Sequence, residues 1–337
     1  MKLGVVGDVH WSRYSSIVRS RGEKYSLRLE NCIKSINWAE KTFDDNDCEE
    51  IVYLGDFFDK PELNAEEITA LKDIKWSNKR HYFLTGNHEI TNVDLSNSSA
   101  SVFSLIPNKE VLTNSIQHSR ENIVFIPYTK PGDDGELFFS EFLVEKHPKI
   151  IFSHNDIKGI QMGKYLSKAG FDLDSINNTC ELFINGHLHN GEQIGNLINL
   201  GNLTGQNFSE DAFKYKHRIM VIDTYTLEIE YFDNPYAFNF CKIGIEDLGK
   251  LNGINNCVVT LQVPSDYDLS IARSKLEKFD NVVTSRIIRE FLQSSESTEN
   301  EFNTSSLSIN HIEKFIEYAT NKLGSSELVV SEVQFVR

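Results

Sequence analysis

Ile51-Val52-Tyr53-Leu54 runs directly into Gly55-Asp56-Phe57-Phe58-Asp59, and His81-Tyr82-Phe83-Leu84 runs into Thr85-Gly86-Asn87-His88-Glu89. Each apolar run reads as a buried strand, so acid, amide and imidazole groups sit where a strand emerges into a loop. Sites of open α/β sheets gather at such strand ends. Asp56 is the candidate centre of one.

Outward from these two stretches, short apolar runs alternate with amphipathic segments. A strand at 2–6 precedes a helix over about 26–43, whose Leu29, Cys32, Ile33, Ile36 and Ala39 recur near the helical period. A second helix over 65–76, capped by Asn64, directs Ile68, Leu71 and Ile74 inward. Further strands at 123–126, 150–152, 182–184, 197–199 and 218–223 are short and expected to run antiparallel, which makes the class α/β with a mixed sandwich. After Pro235 the pattern changes to a small βαβ-like module, with strands at 256–263 and 282–288 around a helix at 269–279 that turns Ile271 and Leu276 to one side. Residues 293–308, rich in Ser, Glu, Asn and Thr, read as a linker. A helix at 309–323 and a strand at 329–336 follow it.

Composition narrows the function classes. At 337 residues, 40% of them apolar, the chain can build one large domain with an appendage, or two domains. No run approaches the roughly 18–20 apolar residues of a membrane span. Met1-Lys2-Leu3-Gly4-Val5-Val6-Gly7 turns into polar residues without a cleavage site, which predicts a cytoplasmic protein. The five cysteines are odd in number, scattered and free of CxxC spacing, which argues against a disulfide framework and a zinc ribbon. A net charge of -15 is a poor match for a protein that grips nucleic acid with its whole surface.

Five polar groups occur at strand ends in chain order: Asp8-Val9-His10, Gly55-Asp56, Gly86-Asn87-His88, His154, and Gly186-His187-Leu188-His189. They contain half of the ten histidines. Two divalent cations roughly 3.5–4 Å apart can hold both the attacking and the leaving oxygen of an in-line phosphoryl displacement, and they need a shared carboxylate. Asp56 is the candidate bridge. Mixed imidazole, amide and carboxylate donors suit manganese, iron or zinc better than calcium or magnesium. Manganese is the expected ion, with magnesium, iron and zinc as alternatives. Two such ions, offset by Asp8, Asp56 and a hydroxide, would leave the site about one charge positive and receptive to phosphate.

This set resembles the signature of calcineurin-like metallophosphoesterases over about the first 225 residues. Gly55-Asp56-Phe57-Phe58-Asp59, Ser153-His154-Asn155-Asp156-Ile157-Lys158-Gly159 and the module-linker-helix layout more narrowly resemble the SbcD-type nuclease subunit of DNA double-strand-break repair complexes, in its compact phage form. The resemblance implies a four-layer αββα sandwich at 1–232, a DNA-facing cap at 236–290, a linker at 291–308, and a segment at 309–337 whose tail helix docks on an SbcC-like ABC-type ATPase. It implies one ion held by Asp8, His10, Asp56 and His189, and a second held by Asp56, Asn87, His154 and His187. His88 would face the scissile phosphate and protonate or stabilise the leaving oxygen. The implied activity is exonuclease and endonuclease cleavage of DNA. Glu89 stands where the family often has Asp, and little effect is expected from a segment that holds no ligand.

Arg13, Arg19, Arg21, Lys24 and Arg28 against Glu23 give residues 12–28 a local charge of +4, five minus one. Beside the metals this loop would track a DNA backbone, with Trp11 and Tyr14 stacking on bases or sugars. A solvated loop explains the same residues equally well. The helix at 65–76 and the apolar stretch 100–106 lie where the family forms a homodimer, and a monomer core explains them equally. His81, His118, His147, His217 and His311 lack partners at ligand spacing and read as structural. Two rival functions use the same ligands: a phosphatase or small-molecule phosphodiesterase of the superfamily, and a non-catalytic subunit that tethers DNA ends.

Overall fold

The computed structural model describes residues 1–91, 97–118, 121–129, 147–162 and 165–289. The expected linker at 291–308 and the docking segment at 309–337 lie outside the described residues. Strands β1 (Lys2–Val6), β2 (Glu50–Tyr53), β3 (Arg80–Leu84) and β4 (Lys109–Leu112) run parallel as neighbours. Strands β6 (Ile123–Ile126), β7 (Ile150–Ser153), β10 (Leu182–Asn185) and β12 (Leu197–Asn199) form a second parallel set, edged by antiparallel β5 (Ile116–Gln117) and β11 (Glu192–Ile194). Strands β13 (Arg218–Asp223) and β14 (Ile229–Asp233) return to the first sheet, where β13 pairs antiparallel with β1. Each sheet thus has six strands, in orders β14-β13-β1-β2-β3-β4 and β11-β12-β10-β7-β6-β5.

The expectation that the later strands run antiparallel is corrected at β6, β7, β10 and β12 and holds at β13. Ile150, Ile151, Phe152, Phe183, Ile184, Leu197 and Ile198 are all buried, so these strands are covered on both faces, as parallel strands between layers are. Leu3, Val52, Leu54, Phe125, Phe152, Ile184 and Met220 meet between the sheets. On the outer face of the first sheet lies α1 (Leu27–Asp45), capped by Ser26, which packs Leu29, Ile36 and Phe43 against Phe57 and Phe83. On the outer face of the second lies α3 (Leu173–Thr179), with Ile176 against Ile151 and Phe183. Helix, sheet, sheet and helix are therefore stacked in four layers.

The helix expected over 65–76 is shorter. Helix α2 (Ala65–Ala70), with an Asn64 capping box, tightens into a 3-10 turn at Leu71–Asp73. The tighter turn brings Ala70, Leu71 and Ile74 inside and leaves Ile68, expected inward, 48% exposed. The stretch 100–106 is likewise a 3-10 turn at Ser99–Leu105, with Phe103 in the core and Leu105 83% exposed.

Strands β15 (Asn239–Gly244), β16 (Cys257–Val263) and β17 (Val282–Arg289) form a separate parallel sheet. Cys241, Ile243, Val259 and Leu261 pack against Leu248 and against Ala272 and Leu276 of α4 (Leu269–Leu276), while Ile271, expected inward, is 50% exposed. With the helix ending at Leu276, its inner face is the 272/276 pair, one turn apart. The opposite face joins the module to the loop after β1, through Phe240 and Val258 against Ile17, Val18 and Phe208. All five cysteines are buried and free. No helix among the described residues is long and apolar enough to cross a membrane.

A buried polar network ties α1 to the edge of the first sheet. Glu40 accepts hydrogen bonds from Tyr53 Oη at 3.0 Å, Ser77 Oγ at 2.8 Å and His81 Nε2 at 2.9 Å, while His81 Nδ1 donates to Lys79 O at 2.9 Å and lies 2.8 Å from Lys109 Nζ. Burial works to raise the Glu40 carboxyl, but the hydrogen bond and charge of His81 outweigh it and hold it below the usual value. Its contribution is therefore present above the ordinary carboxyl range and is lost as pH falls through the lowered folded value. Glu40→Ala is expected to cost about 3 kcal/mol at pH 7 by leaving His81 and Lys109 buried without their acid. In urea denaturation the gap from wild type should narrow at acid pH; a pH-independent gap would count against the ionised network.

Candidate metal centre

Five loops meet at one end of the sheets. Asp8 and His10 follow β1, Asp56 follows β2, and Asn87 and His88 follow β3, three adjacent strands; His154 follows β7, and His187 and His189 follow its neighbour β10. Parallel strands present all of these from their C-terminal ends, so residues far apart in sequence arrive at one place. The turns are tight: His10, Asp56 and His187 have φ of 49°, 46° and 69°, left-handed values that cost non-glycine residues about 1–3 kcal/mol each. Gly86 is required by close approach, since a Cβ there would overlap Asp56 Oδ1. At Gly55, φ is 109° and a Cβ would overlap the His154 ring.

Both carboxylates are held by one oxygen. Asp8 Oδ1 accepts from His187 N at 3.0 Å, and Asp56 Oδ1 accepts from His88 N at 2.9 Å. Asp8 Oδ2 is buried with no hydrogen-bond partner among the described residues, and His10 Nε2 and His189 Nε2 stand 3.8 and 3.9 Å from it. Asp56 Oδ2 lies 3.1 Å from His154 Nε2.

The imidazoles are held the same way, through their other nitrogen. His10 Nδ1 donates to Asp59 Oδ1 at 3.2 Å, His189 Nδ1 to Glu210 Oε1 at 2.9 Å, His154 Nδ1 to Leu54 O at 2.8 Å and His187 Nε2 to Asp156 Oδ1 at 3.1 Å. That is the outer support expected of metal-ligating histidines. The remaining nitrogens point at one another: His10 Nε2 and His189 Nε2 are 3.0 Å apart, and Asn87 Oδ1 sits 3.2 Å from His154 Nε2 and 3.0 Å from His187 Nδ1. Lone pairs and an orphaned carboxylate oxygen facing each other in buried surroundings fit divalent cations. Ligand atoms of Asp8, His10 and His189 lie within 4.8 Å of one another, as do those of Asp56, His154 and His187, and those of His10, Asp56 and His88. Asp56 belongs to two of the three groups.

Electrostatics without a metal point the same way. Burial disfavours charge on His10 and His154, yet the carboxylates of Asp59, Asp8 and Asp56 hold His10 at about 10, and Asp56 and Asp8 hold His154 at about 9. Asp8 and Asp56 are raised by burial but lowered further by His154, and both finish below the usual value. Protons occupy the places that cations would take.

His88 is 45% exposed, with Nδ1 donating to Asp59 O at 3.1 Å and its ring edge-on to His10 at 4.8 Å. A cavity of about 530 Å³ opens over Asp56, His88, His187 and His189, walled by Glu192, Asp211 and Lys214. Among the arginines of the basic loop, Arg13 and Arg21, both more than half exposed, reach Glu66 at 3.7 and 3.3 Å, and Arg19 donates to Ser16 O. Trp11 is fully buried and donates to Glu67 O, which overturns the expectation that it stacks on bases. Arg28, counted with the basic loop, is buried too.

Four acids were missed as supports of the site. Asp59 and Asp156 lie beside the motifs, but only the folded contact reveals their histidines. Glu210 has no local signal at all. Glu89, expected to matter little, is fully buried and accepts from Gly86 N at 2.8 Å and Phe58 N at 3.1 Å, tying the Asp56 loop to the Asn87 loop. Burial first and the charge of Asp56 second push its carboxyl up to about 8.

Asp59→Asn and Glu210→Gln should each weaken Mn²⁺ binding about 10–100-fold in a chelator competition, with the fold intact. Because a cation must displace protons from His10 and His154, affinity should rise with pH; affinity that is flat from pH 6 to 8 would contradict the assignment.

A profile of the family described as calcineurin-like phosphoesterase matches residues 1–191. Among solved structures, a dimetal phosphatase from Danio rerio aligns with 69% of this chain and 99% of its own, at 11% identity and a TM-score of 0.36. A search of curated proteins finds no match. With more than half its length matched by that profile, the chain belongs to the calcineurin-like phosphoesterase family.

Proposed function

We propose that the chain is a two-metal phosphodiesterase acting on a small or nucleotide-containing diester. The observation that carries this reading is the cavity over Asp56, which Glu192 and Asp211 line and where, among the described residues, Lys214, 4.0 Å from Asp211, is the one lysine. A phosphomonoester carries nearly two negative charges at neutral pH, whereas a diester carries one and is repelled less. When bound, the cations supply Lewis-acid charge at the phosphoryl oxygens and a water that ionises near neutral pH. His88, half exposed at the cavity rim and oriented by Asp59 O, is placed to donate a proton to the leaving oxygen. Asp59 and Glu210 keep His10 and His189 turned inward.

A second reading is a DNA exonuclease/endonuclease subunit that works with an SbcC-like ATPase and pairs with a second copy of itself. Its support is the basic and aromatic surface of the small sheet, where Arg286 lies 4.7 Å and Lys242 5.9 Å from the Phe208 ring. The pairing of Arg13 and Arg21 with Glu66 weakens it.

With Mn²⁺, hydrolysis of bis(p-nitrophenyl) phosphate should exceed that of p-nitrophenyl phosphate by about 10-fold or more, the direction set by charge repulsion in the cavity. A monoester preference would overturn the diesterase reading. His88→Ala should lower kcat by about 10²–10⁴-fold with metal content unchanged. On linear DNA, the combined change Arg13→Ala, Arg19→Ala and Arg21→Ala should reduce the log–log salt slope of binding by about 2–3; an unchanged slope removes the DNA role of that loop.

A further inference from the structure

Behind the loops of His154 and His187 lie two buried asparagines that the donor set does not use. Asn155, 3% exposed, follows His154 at the end of β7, and Asn185, 0% exposed, precedes Gly186-His187 at the end of β10. The two strands are parallel neighbours with Asn185 opposite Ser153. Across them Asn155 N donates to Asn185 Oδ1 at 3.1 Å, and Asn185 Nδ2 donates to Asn155 O at 3.0 Å and to Gly186 O at 2.7 Å.

The Asn155 side chain reaches the other way, to the loop after β6. Its Nδ2 donates to Ser153 Oγ at 2.9 Å, Pro127 O at 3.0 Å and Ile126 O at 3.3 Å, while its Oδ1 accepts from Thr129 N at 2.8 Å and Thr129 Oγ1 at 2.9 Å. One amide thereby fastens three strand ends. An ionised aspartate of the same shape has no proton to donate and a leucine has neither donor nor acceptor, so the site calls for an amide. A buried polar network satisfied this fully rigidifies the chain around it.

What it rigidifies is one half of the metal centre. His154 precedes Asn155, and Asp156, which holds His187 Nε2 at 3.1 Å, follows it. His10 and His189 are held by other means, through Asp59 Oδ1 at 3.2 Å and Glu210 Oε1 at 2.9 Å. The donor group of Asp8, His10 and His189 and the donor group of Asp56, His154 and His187 therefore have separate supports.

We propose that Asn155 and Asn185 are positioning residues for the cation of Asp56, His154 and His187 and not for the cation of Asp8, His10 and His189, so that the two can be lost independently. The inference rests on the metal centre and does not depend on which phosphoester is cut.

Titration of the metal-free full chain with Zn²⁺, followed through the ring ¹H–¹⁵N correlations of ¹⁵N-labelled histidine, tests this without any activity, because ring nitrogens shift when they coordinate. In the wild type His10, His154, His187 and His189 should all shift. In Asn155→Ala and, separately, Asn185→Ser, half-saturation of His154 and His187 should need about 10–100-fold more free Zn²⁺, the usual effect of removing an outer support, with His10 and His189 unchanged. Glu210→Gln should give the converse, weakening His10 and His189 alone. Comparing two pairs of rings within one molecule separates positioning from stability, since a loosened fold would weaken both pairs. Equal weakening of both pairs in the asparagine variants, or weakening of neither, overturns the proposal; a wild type in which no ring shifts overturns the metal centre and the proposal with it.

Discussion

Asp8 and Asp56 hang from the C-terminal ends of neighbouring parallel strands, and each commits one oxygen to a backbone N–H of a loop from another strand. The other oxygens face imidazole nitrogens whose protons are directed outward to Asp59, Glu210 and Leu54 O. Concentrated in buried space, these acceptors repel one another unless a positive charge stands between them. Much of the surrounding structure serves to keep them there. Left-handed turns at His10, Asp56 and His187 aim the side chains, and Gly55 and Gly86 let the loops touch. Glu89 fastens two of those loops together.

The inward-facing residues were legible because their signal is local. A buried strand that ends in Asp, Asn or His has no packing reason to do so, and five such endings in order leave few fold classes open. The supports behind them were not legible, since Glu210 acts on His189 through a contact that no spacing encodes. Strand direction failed for a related reason: three- or four-residue apolar runs such as Leu182–Asn185 look alike in either orientation until both faces are seen to be covered. Ile68 was misplaced because a 3-10 turn changes the angular step between residues, and a helical count carried across it puts side chains on the wrong face.

Charge is divided sharply in this molecule. A chain of net charge -15 keeps acids close to the metal donors as well as on its surface: Glu192 and Asp211 line the cavity over Asp56, where Lys214 lies 4.0 Å from Asp211. The basic residues nearest the donors in sequence are largely occupied: Arg13 and Arg21 by Glu66, Arg28 by three carbonyl groups.

The placement of β1 between β2 and β13 has a consequence for how the protein is made. The strand ends at Val6, but its second partner begins at Arg218. At roughly 5–20 residues per second of synthesis, that interval lasts on the order of 10–45 s, during which one edge of a very apolar strand has no native neighbour. Pairings this distant in sequence form slowly. Asp8 is made long before His189, so the cluster they share cannot exist until the later strands of the second sheet have been made.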